Sequence, residues 1–231
     1  MQDWIEDLTT KGFYTGNILE LVNNTDNFDY FIQCIEQLRY TTDKHNYRSQ
    51  ISEHPELPMT IPYSEIPTRQ QLVIDKKLQV FQQWHEVYTW GDNYFLDVTK
   101  NFVKQAYPQL DHNDLQFHDS FTVYENNDFI QLHTDGDNPA RICVMLIYLN
   151  EQHNKNTGGE LIIQDKQQRL HTVTAQRGNY AVIDFTRHNL SHSVAVVKNN
   201  AKRYAYICFV SDPKILNMPI NKLRQRLKTI N

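Results

Sequence analysis

The sequence predicts an α+β protein in which a mainly helical first half precedes an antiparallel jelly roll or barrel. In the first half, apolar residues recur at helical spacing. From Leu115 onward, about eight short runs rich in Val, Ile, Tyr and Phe follow one another, bounded by Asn, Gly and Lys turns. No helical pattern separates these runs. Helices first and strands afterwards are typical of the α+β class, and the many short strands favour a jelly roll or barrel.

The first half begins with a helix and a loop. Asp26 or Asn27 is a candidate cap for a helix that ends at about Tyr40, because the apolar residues after the cap lie on one face at helical spacing. Residues 41–66 contain three prolines among polar residues and are predicted to form a loop.

Two further helices are predicted before the strands begin. Pro67 or Thr68 is expected to open a long helix that reaches about Tyr88, since leucine and aromatic residues form a usable apolar stripe there. A second helix is predicted over 94–107, directly before a proline. Residues 1–115 are therefore expected to form a mainly helical region.

The second half is predicted to be a strand-rich core over 116–212. Beyond Pro213, residues 213–231 form a tail with a short helix expected from Lys214 to Ile230. The predicted strands of the core are 117–124, 129–133, 141–149, 160–163, 170–173, 180–185, 192–197 and 203–210.

Composition and charge argue against several classes of partner and cellular location. The net charge is −4 and the isoelectric point about 6.2, so no global basic field attracts the protein to nucleic acid or to an anionic membrane. The N-terminus is acidic and unlike a signal peptide, and the longest apolar run, Ile142 to Leu149, is too short to cross a membrane. The three cysteines are an odd number at wide spacing, which fits a reducing compartment. We therefore expect a cytoplasmic protein with neither nucleic acid nor membrane as partner.

A His-x-Asp motif is the most informative local feature. On a strand, residues two apart point to the same side, so His133 and Asp135 can face one interior. Gly136 begins a turn, which places the pair at a strand end. His192 begins a later predicted strand and can return beside the pair. Two imidazoles and one carboxylate are the ligands of non-haem Fe(II) oxygenases, in which metal positions stay open for co-substrate and O₂.

Other interpretations of these residues exist. His188 and Asp137 lie close enough in sequence to replace His192 or Asp135 as ligands, and an Asp in a turn beside a surface His is the simplest alternative. A closed zinc site is disfavoured, because the sequence has neither a CxxC motif nor a second histidine pair.

Arg203 is the candidate anion-binding residue. It begins the strand after His192, behind a predicted turn at 198–202. If Arg203 faces inward, it is a buried cation that requires an anionic partner, and a guanidinium matches a carboxylate through two parallel hydrogen bonds. A surface arginine in a hairpin is the alternative. Lys202 faces the opposite side and is the second candidate.

The segment from Phe121 to Asp212 resembles the prolyl 4-hydroxylase-like branch of the 2-oxoglutarate/Fe(II) dioxygenases. The blocks that carry the resemblance occur in the family's order. They are Tyr124, nine residues before His133; His133-Thr134-Asp135; Arg141 to Asn150 (RICVMLIYLN); Gly158-Gly159-Glu160-Leu161; Gly178 to Phe185 (GNYAVIDF); His192-Ser193-Val194; and Arg203-Tyr204.

The resemblance implies a double-stranded β-helix barrel with supporting N-terminal helices. It implies that His133, Asp135 and His192 bind Fe(II), that 2-oxoglutarate chelates the iron, and that Arg203 pairs with the distal carboxylate of 2-oxoglutarate. The implied reaction consumes O₂, releases succinate and CO₂, and hydroxylates an unactivated C–H bond. Ascorbate is expected to support turnover.

Further residue roles also follow from the resemblance alone. Tyr148 would hydrogen-bond the distal carboxylate, Tyr124 would line the co-substrate pocket, and Arg141 would lie near the substrate. An aspartate at position 135 favours hydroxylation, because related halogenases have a small residue there.

A prolyl residue of a peptide, or a free proline-like amino acid, is the expected substrate. Two other functions stay open. A cupin-like or JmjC-like metalloenzyme shares the histidine and aspartate pattern, and a non-catalytic barrel used for binding shares the fold.

Overall fold

The computed structural model describes residues 3–18, 21, 45–46, 49–51, 78–80, 82–88, 94–136, 138–150 and 156–217. The helix predicted to end at Tyr40, residue Asp137 and Cys34 lie outside the described residues, as does the C-terminal segment after Asn217. Helix α1 spans Asp3–Lys11, helix α2 spans Tyr94–Ala106, and a short 3-10 helix spans Pro213–Asn217.

Thirteen strands lie within the described residues. They are β1 (Phe13–Asn17), β2 (His45–Asn46), β3 (Ser49–Ile51), β4 (Leu78–Val80), β5 (Gln82–Tyr88), β6 (Gln116–Tyr124), β7 (Phe129–His133), β8 (Arg141–Tyr148), β9 (Leu161–Gln164), β10 (Leu170–Val173), β11 (Asn179–Asp184), β12 (Ser191–Val194) and β13 (Arg203–Ser211).

The strands form two antiparallel layers that share β5. The major layer has the order β1-β11-β8-β13-β6-β5, and the minor layer continues as β5-β7-β12-β9-β10. Strand β2 adds to β5, and β3 pairs with β4 in a separate small sheet. The order that results is that of a double-stranded β-helix, so the predicted fold class is confirmed. The described strands do not close into a complete barrel, because β1 and β10 end the path.

Two helices cover the outer face of the major layer. The Phe95 ring of α2 lies 5.3 Å from that of Tyr206 on β13, and the Trp4 ring of α1 lies 4.6 Å from that of Phe102 on α2. Burial of this face explains why β8 is a nearly continuous apolar run, since both of its sides are removed from water.

A second core fills the space between the layers. Its buried members come from both, for example Leu146 and Ala205 of the major layer and Leu161 and Ile163 of the minor layer. Aliphatic side chains from facing strands interdigitate here, which fixes the spacing of the layers. The functional side chains described below belong to this interior.

The predicted strands of the core are confirmed with boundaries shifted by a few residues at most, as is the helix predicted over 94–107. Every helix among the described residues is too short or too polar to span a lipid bilayer.

Three predictions for the first half need correction. The long helix expected to reach Tyr88 is wrong over 78–80 and 82–88, where β4 and β5 lie, and β2 and β3 lie in the expected loop. Strand β1, which pairs with β11, was not predicted. Long-range pairing explains the differences: β5 hydrogen-bonds to β6, so its conformation depends on a partner that local periodicity does not reveal. The described part of residues 1–115 is therefore not mainly helical.

Candidate metal centre and arginine pocket

The two imidazoles of the candidate metal centre lie on neighbouring antiparallel strands. His133 at the end of β7 is directly opposite His192 on β12, and their ring centroids are 4.3 Å apart. Side chains directly opposite each other on one face of such a pair are the closest cross-strand neighbours. The register of β7 and β12 therefore brings the histidines together although 59 positions separate them in sequence.

Asp135 completes the group. Its Oδ2 lies 3.2 Å from Nε2 of His192, and its Oδ1 lies 3.8 Å from Nε2 of His133. One ligand atom from each of the three residues fits within 4.8 Å of the others. Among the described residues, this is the one group of three or more His, Cys, Asp and Glu side chains with such a geometry.

Local contacts orient the first histidine. Nδ1 of His133 lies 2.8 Å from the backbone oxygen of Gln131, so Nδ1 carries the proton and donates it to that carbonyl. Nε2 is then the ring nitrogen that faces Asp135 and that would bind a metal in the neutral ring. His192 is buried as well, with a residue exposure of 5%.

The surroundings keep Asp135 ionised. Burial raises its pKa, but the hydrogen bond and charge of His192, followed by the charges of His133 and Arg141, outweigh burial and hold the pKa well below its usual range. Asp135 is therefore a carboxylate at neutral pH, the form that binds a divalent cation.

Arg203 forms a second polar feature in the same interior. It is the first residue of β13 and only 2% exposed, so it faces inward as the burial hypothesis requires. The guanidinium carbon lies 4.7 Å from the Tyr124 ring centroid and 5.0 Å from that of Tyr148. All three guanidinium nitrogens are buried, and none hydrogen-bonds to a residue that the structure describes.

The surroundings of Arg203 restrict the kind of chemical group that can bind there. Two aromatic faces compensate part of the desolvation of the Arg203 cation, but they accept no hydrogen bond in the plane of the fork. The hydroxyl of Tyr148 is also buried without a hydrogen bond to a described residue. Burial raises the pKa of Tyr148, and the charge of Arg203 and its closeness to the Tyr148 hydroxyl oppose that rise, so the phenol stays protonated and can donate. The pocket thus offers donors that match a carboxylate.

The arginine pocket and the metal centre are joined by packing. Tyr124 lies opposite Arg203 in the β6–β13 register and packs in one cluster with Val194 and Ile130. Val194 follows His192 on β12, and Ile130 precedes His133 on β7. Tyr124 therefore belongs both to the arginine pocket and to the apolar cluster that includes residues of the two histidine-bearing strands.

The other sequence candidates lie elsewhere. Nε2 of His188 is 3.1 Å from the backbone oxygen of Thr9 at the end of α1, away from the triad. Lys202 has an ion pair with Glu125 at 3.2 Å and a half-exposed side chain. Arg141, expected near the substrate, lies beside the metal centre, with Nη1 3.3 Å from Oδ1 of Asp135.

Two contacts of the site were not predicted. The Arg141 guanidinium carbon lies 4.3 Å from the centroid of the Phe209 ring, and the Gln131 carbonyl accepts a hydrogen bond from His133. The alternation of β13 puts Phe209 on the same face as Arg203, which is the signal that places Phe209 in the interior.

Comparison with known proteins agrees with this geometry. Residues 120–211 match the model of the 2OG-Fe(II) oxygenase superfamily. The matched range contains the triad, both tyrosines and Arg203. No curated protein sequence matches the chain.

Several solved structures share the fold at low sequence identity. A prolyl-4-hydroxylase from Pseudomonas putida is 16% identical with a TM-score of 0.60, covering 90% of this chain and 97% of its own. A prolyl hydroxylase from Trichoplax adhaerens, solved with a peptide fragment of the hypoxia inducible factor oxygen degradation domain, is 14% identical with a TM-score of 0.59, covering 91% and 88%.

A third structure broadens the comparison. EvdO2 from Micromonospora carbonacea var. aurantiaca, solved with 2-oxoglutarate, is 10% identical with a TM-score of 0.57 and covers 91% of each chain. At these identities the structures show the common fold, and the matching superfamily model supplies the enzyme class. The superfamily match over residues 120–211, together with the His-Asp-His group, confirms the predicted Fe(II)/2-oxoglutarate-dependent dioxygenase with Fe(II), 2-oxoglutarate and O₂ as cofactors.

Proposed function

We propose that this dioxygenase hydroxylates an unactivated C–H bond, with a prolyl residue of a peptide or a free proline-like amino acid as substrate. His133, Asp135 and His192 hold the Fe(II), and Arg203 binds the distal carboxylate of 2-oxoglutarate. The observation that carries the proposal is the buried Arg203 guanidinium, whose nitrogens have no hydrogen-bonding partner among the described residues. An anion with two coplanar oxygens satisfies that fork.

The donor set fits the proposed cofactors. Two neutral imidazoles and one carboxylate bind a divalent metal with one positive charge remaining, and they cover one face of an octahedron. Tyr124 and Tyr148 flank Arg203, and we propose that the Tyr148 hydroxyl donates to the same distal carboxylate. When bound, Fe(II) with 2-oxoglutarate and O₂ supplies the oxidising chemistry, and the chain's residues provide binding and orientation.

Support for a prolyl substrate comes from the neighbouring structures. Two of the three described above are prolyl hydroxylases, one of them solved with a peptide. We propose a peptide partner on that basis and a cytoplasmic location on the basis of composition. Arg141 remains a candidate substrate-side residue, since its side chain is 28% exposed beside the metal centre.

The metal site is tested without a substrate. Under anaerobic conditions, Fe(II) and 2-oxoglutarate should give a weak visible charge-transfer band in the wild-type protein. His133→Ala should abolish this band, whereas His171→Ala, which removes a histidine of β10 that is hydrogen-bonded to Asp165, should retain it. A band of equal strength in His133→Ala would refute the proposed ligand set.

The substrate is tested by coupled measurement. The purified protein is incubated with Fe(II), ascorbate and 2-oxoglutarate, and proline-containing peptides and free amino acids are screened for succinate release and a mass gain of one oxygen. Substrate-dependent succinate with the matching mass gain on proline supports the proposal. A panel without succinate release favours the non-catalytic barrel, and oxidation of other residues alone refutes the prolyl assignment.

A further inference from the structure

Both carboxylate oxygens of Asp135 face the imidazoles. Oδ2 lies 3.2 Å from Nε2 of His192, and Oδ1 lies 3.8 Å from Nε2 of His133. Either oxygen, or both together, can therefore reach a metal ion held between the rings. The number of oxygens that bind decides how many metal positions remain for the co-substrates.

The number of Asp135 oxygens that bind the metal matters because the metal has a fixed number of ligand positions. An octahedral ion has six positions, and two imidazoles with one carboxylate oxygen leave three. Chelation by 2-oxoglutarate takes two of these and leaves one for O₂. If both Asp135 oxygens bind, four positions are taken, and the chelate then leaves none.

Arg141 holds one of the two oxygens. Its Nη1 lies 3.3 Å from Oδ1 of Asp135 and 3.0 Å from the backbone oxygen of the same residue. The guanidinium also stacks on Phe209, with its carbon 4.3 Å from the ring centroid. Contact with the side chain, the main chain and an aromatic face fixes both the Arg141 plane and the Asp135 carboxylate.

We propose that Arg141 is a positioning residue that keeps Asp135 monodentate: by engaging Oδ1, it leaves Oδ2 as the single ligand oxygen and preserves the position that O₂ needs. This inference rests on the proposed function, in which the triad binds the metal. It assigns to Arg141 a role through Asp135 that is separate from any contact with substrate.

Two effects of Arg141 on the metal have opposite signs. Its positive charge repels a dication, whereas its hydrogen bonds orient the carboxylate. Arg141→Lys retains the charge but loses the planar fork and its stacking on Phe209, so it isolates the orienting effect. Arg141→Met removes both effects. The matched control is Arg169→Lys, which alters an ion pair with Asp165 on another hairpin.

The experiment uses Co(II) as the metal probe and X-ray absorption to measure the distance from the metal to the Asp135 carboxylate carbon, which is shorter for a bidentate than for a monodentate carboxylate. The second measurement is whether the Co(II) complex with 2-oxoglutarate keeps a metal-bound water, detected by electron–nuclear double resonance in H₂O and D₂O. In Arg141→Lys and Arg141→Met we expect the shorter carbon distance and the loss of that water, because the second Asp135 oxygen takes its position. Wild type and Arg169→Lys should agree with each other in both measurements.

Phe209→Leu keeps the experiment decisive if the Arg141 variants do not fold. It removes the stacking ring without touching Asp135 and should change the same two measurements in the same direction, by a smaller factor. An unchanged carboxylate carbon distance and a retained metal-bound water in the folded variants would overturn the inference, as would an effect limited to the KM of the substrate that is oxidised. Failure of the proposed function looks different, because His133→Ala would then bind Co(II) as tightly as wild type.

Discussion

The backbone carbonyl of Val196 occupies the space that a side chain at Gly158 would need. A Cβ at Gly158 would lie 1.9 Å from that oxygen, and the residue has a φ of +66°. Backbone bonds on both sides, from Lys198 to Thr157 and from Ala195 to Glu160, hold the two segments together. We expect Gly158→Ala to lower the free energy of unfolding by about 2 kcal/mol or more, because the backbone cannot yield locally. Urea denaturation measures this loss.

Gly136→Ala is the matched comparison. A Cβ there would lie 2.3 Å from Oδ1 of Asn189, the end of a side chain that can turn away. Its φ is outside the left-handed region, so the substitution adds no backbone strain. The destabilisation should be clearly smaller than that of Gly158→Ala, and equal losses for the two variants would contradict the distinction between backbone and side-chain neighbours.

Arg203→Met should separate folding from co-substrate binding. Burial of a cation without hydrogen bonds costs several kcal/mol, and the two tyrosine faces return only about 1 to 2 kcal/mol each. Without 2-oxoglutarate, the thermal midpoint of Arg203→Met should therefore equal or exceed that of wild type. Thermal unfolding monitored by circular dichroism measures the midpoint.

Addition of 2-oxoglutarate should reverse the order of the two thermal midpoints, so that wild type becomes the more stable protein. A ligand at 100 times its Kd stabilises the native state by about 2.7 kcal/mol, so the wild-type midpoint should rise while that of Arg203→Met stays constant. An equal rise in both proteins would show that Arg203 does not bind the co-substrate.

We expect the free energy of unfolding to fall at acid pH because of Asp165. The hydrogen bond from His171 holds the pKa of Asp165 below its usual range against the opposing effect of burial, and Arg169 acts in the same direction as His171. Since the folded pKa of Asp165 is below the unfolded one, the stabilisation is complete above the unfolded value of ~4 and is lost as pH falls toward the folded value. Asp165→Asn should show a shallower loss of stability below pH ~4 in urea titrations. An identical slope for both proteins would contradict this origin.

The two described cysteines should resist alkylation in the native protein. Cys143 and Cys208 are free and buried. Burial raises the pKa of Cys208 to about 12 and that of Cys143 well above its usual value. The reactive thiolate is therefore scarce at pH 8. Peptide mass spectrometry after iodoacetamide treatment should detect modification at both positions only in denaturant. Native labelling of Cys208 would contradict its burial.

The core and the triad were predictable because their signals are local or periodic. The runs that became β8 and β11 are rich in β-branched and aromatic residues, and the two-residue period placed His133 and Asp135 on one side. The order of the matched blocks then indicated His192 and Arg203 as their partners.

The features that were missed depend on contacts between distant segments. Strand β5 has a helical spacing of apolar residues, yet β6 and β7 bind its backbone. The contact of Arg141 with Asp135 depends on how the turn after β7 folds back, and the fit of Gly158 against Val196 depends on the route of a loop. None of these contacts produces a periodic pattern in the sequence, because tertiary pairing overrides local propensity.

The pairing of β7 with β12 has a consequence for how the protein unfolds with and without a bound metal. A metal held by Asp135 and His192, as proposed, would link positions that are 57 residues apart in sequence and would thereby close a loop that includes β8, β9, β10 and β11. Such a tie restricts the unfolded chain as a covalent staple does, and it disappears when the metal is removed. Chelation should thus expose the minor layer to proteases before the major layer, whose strands are held by their own pairing and by the two helices.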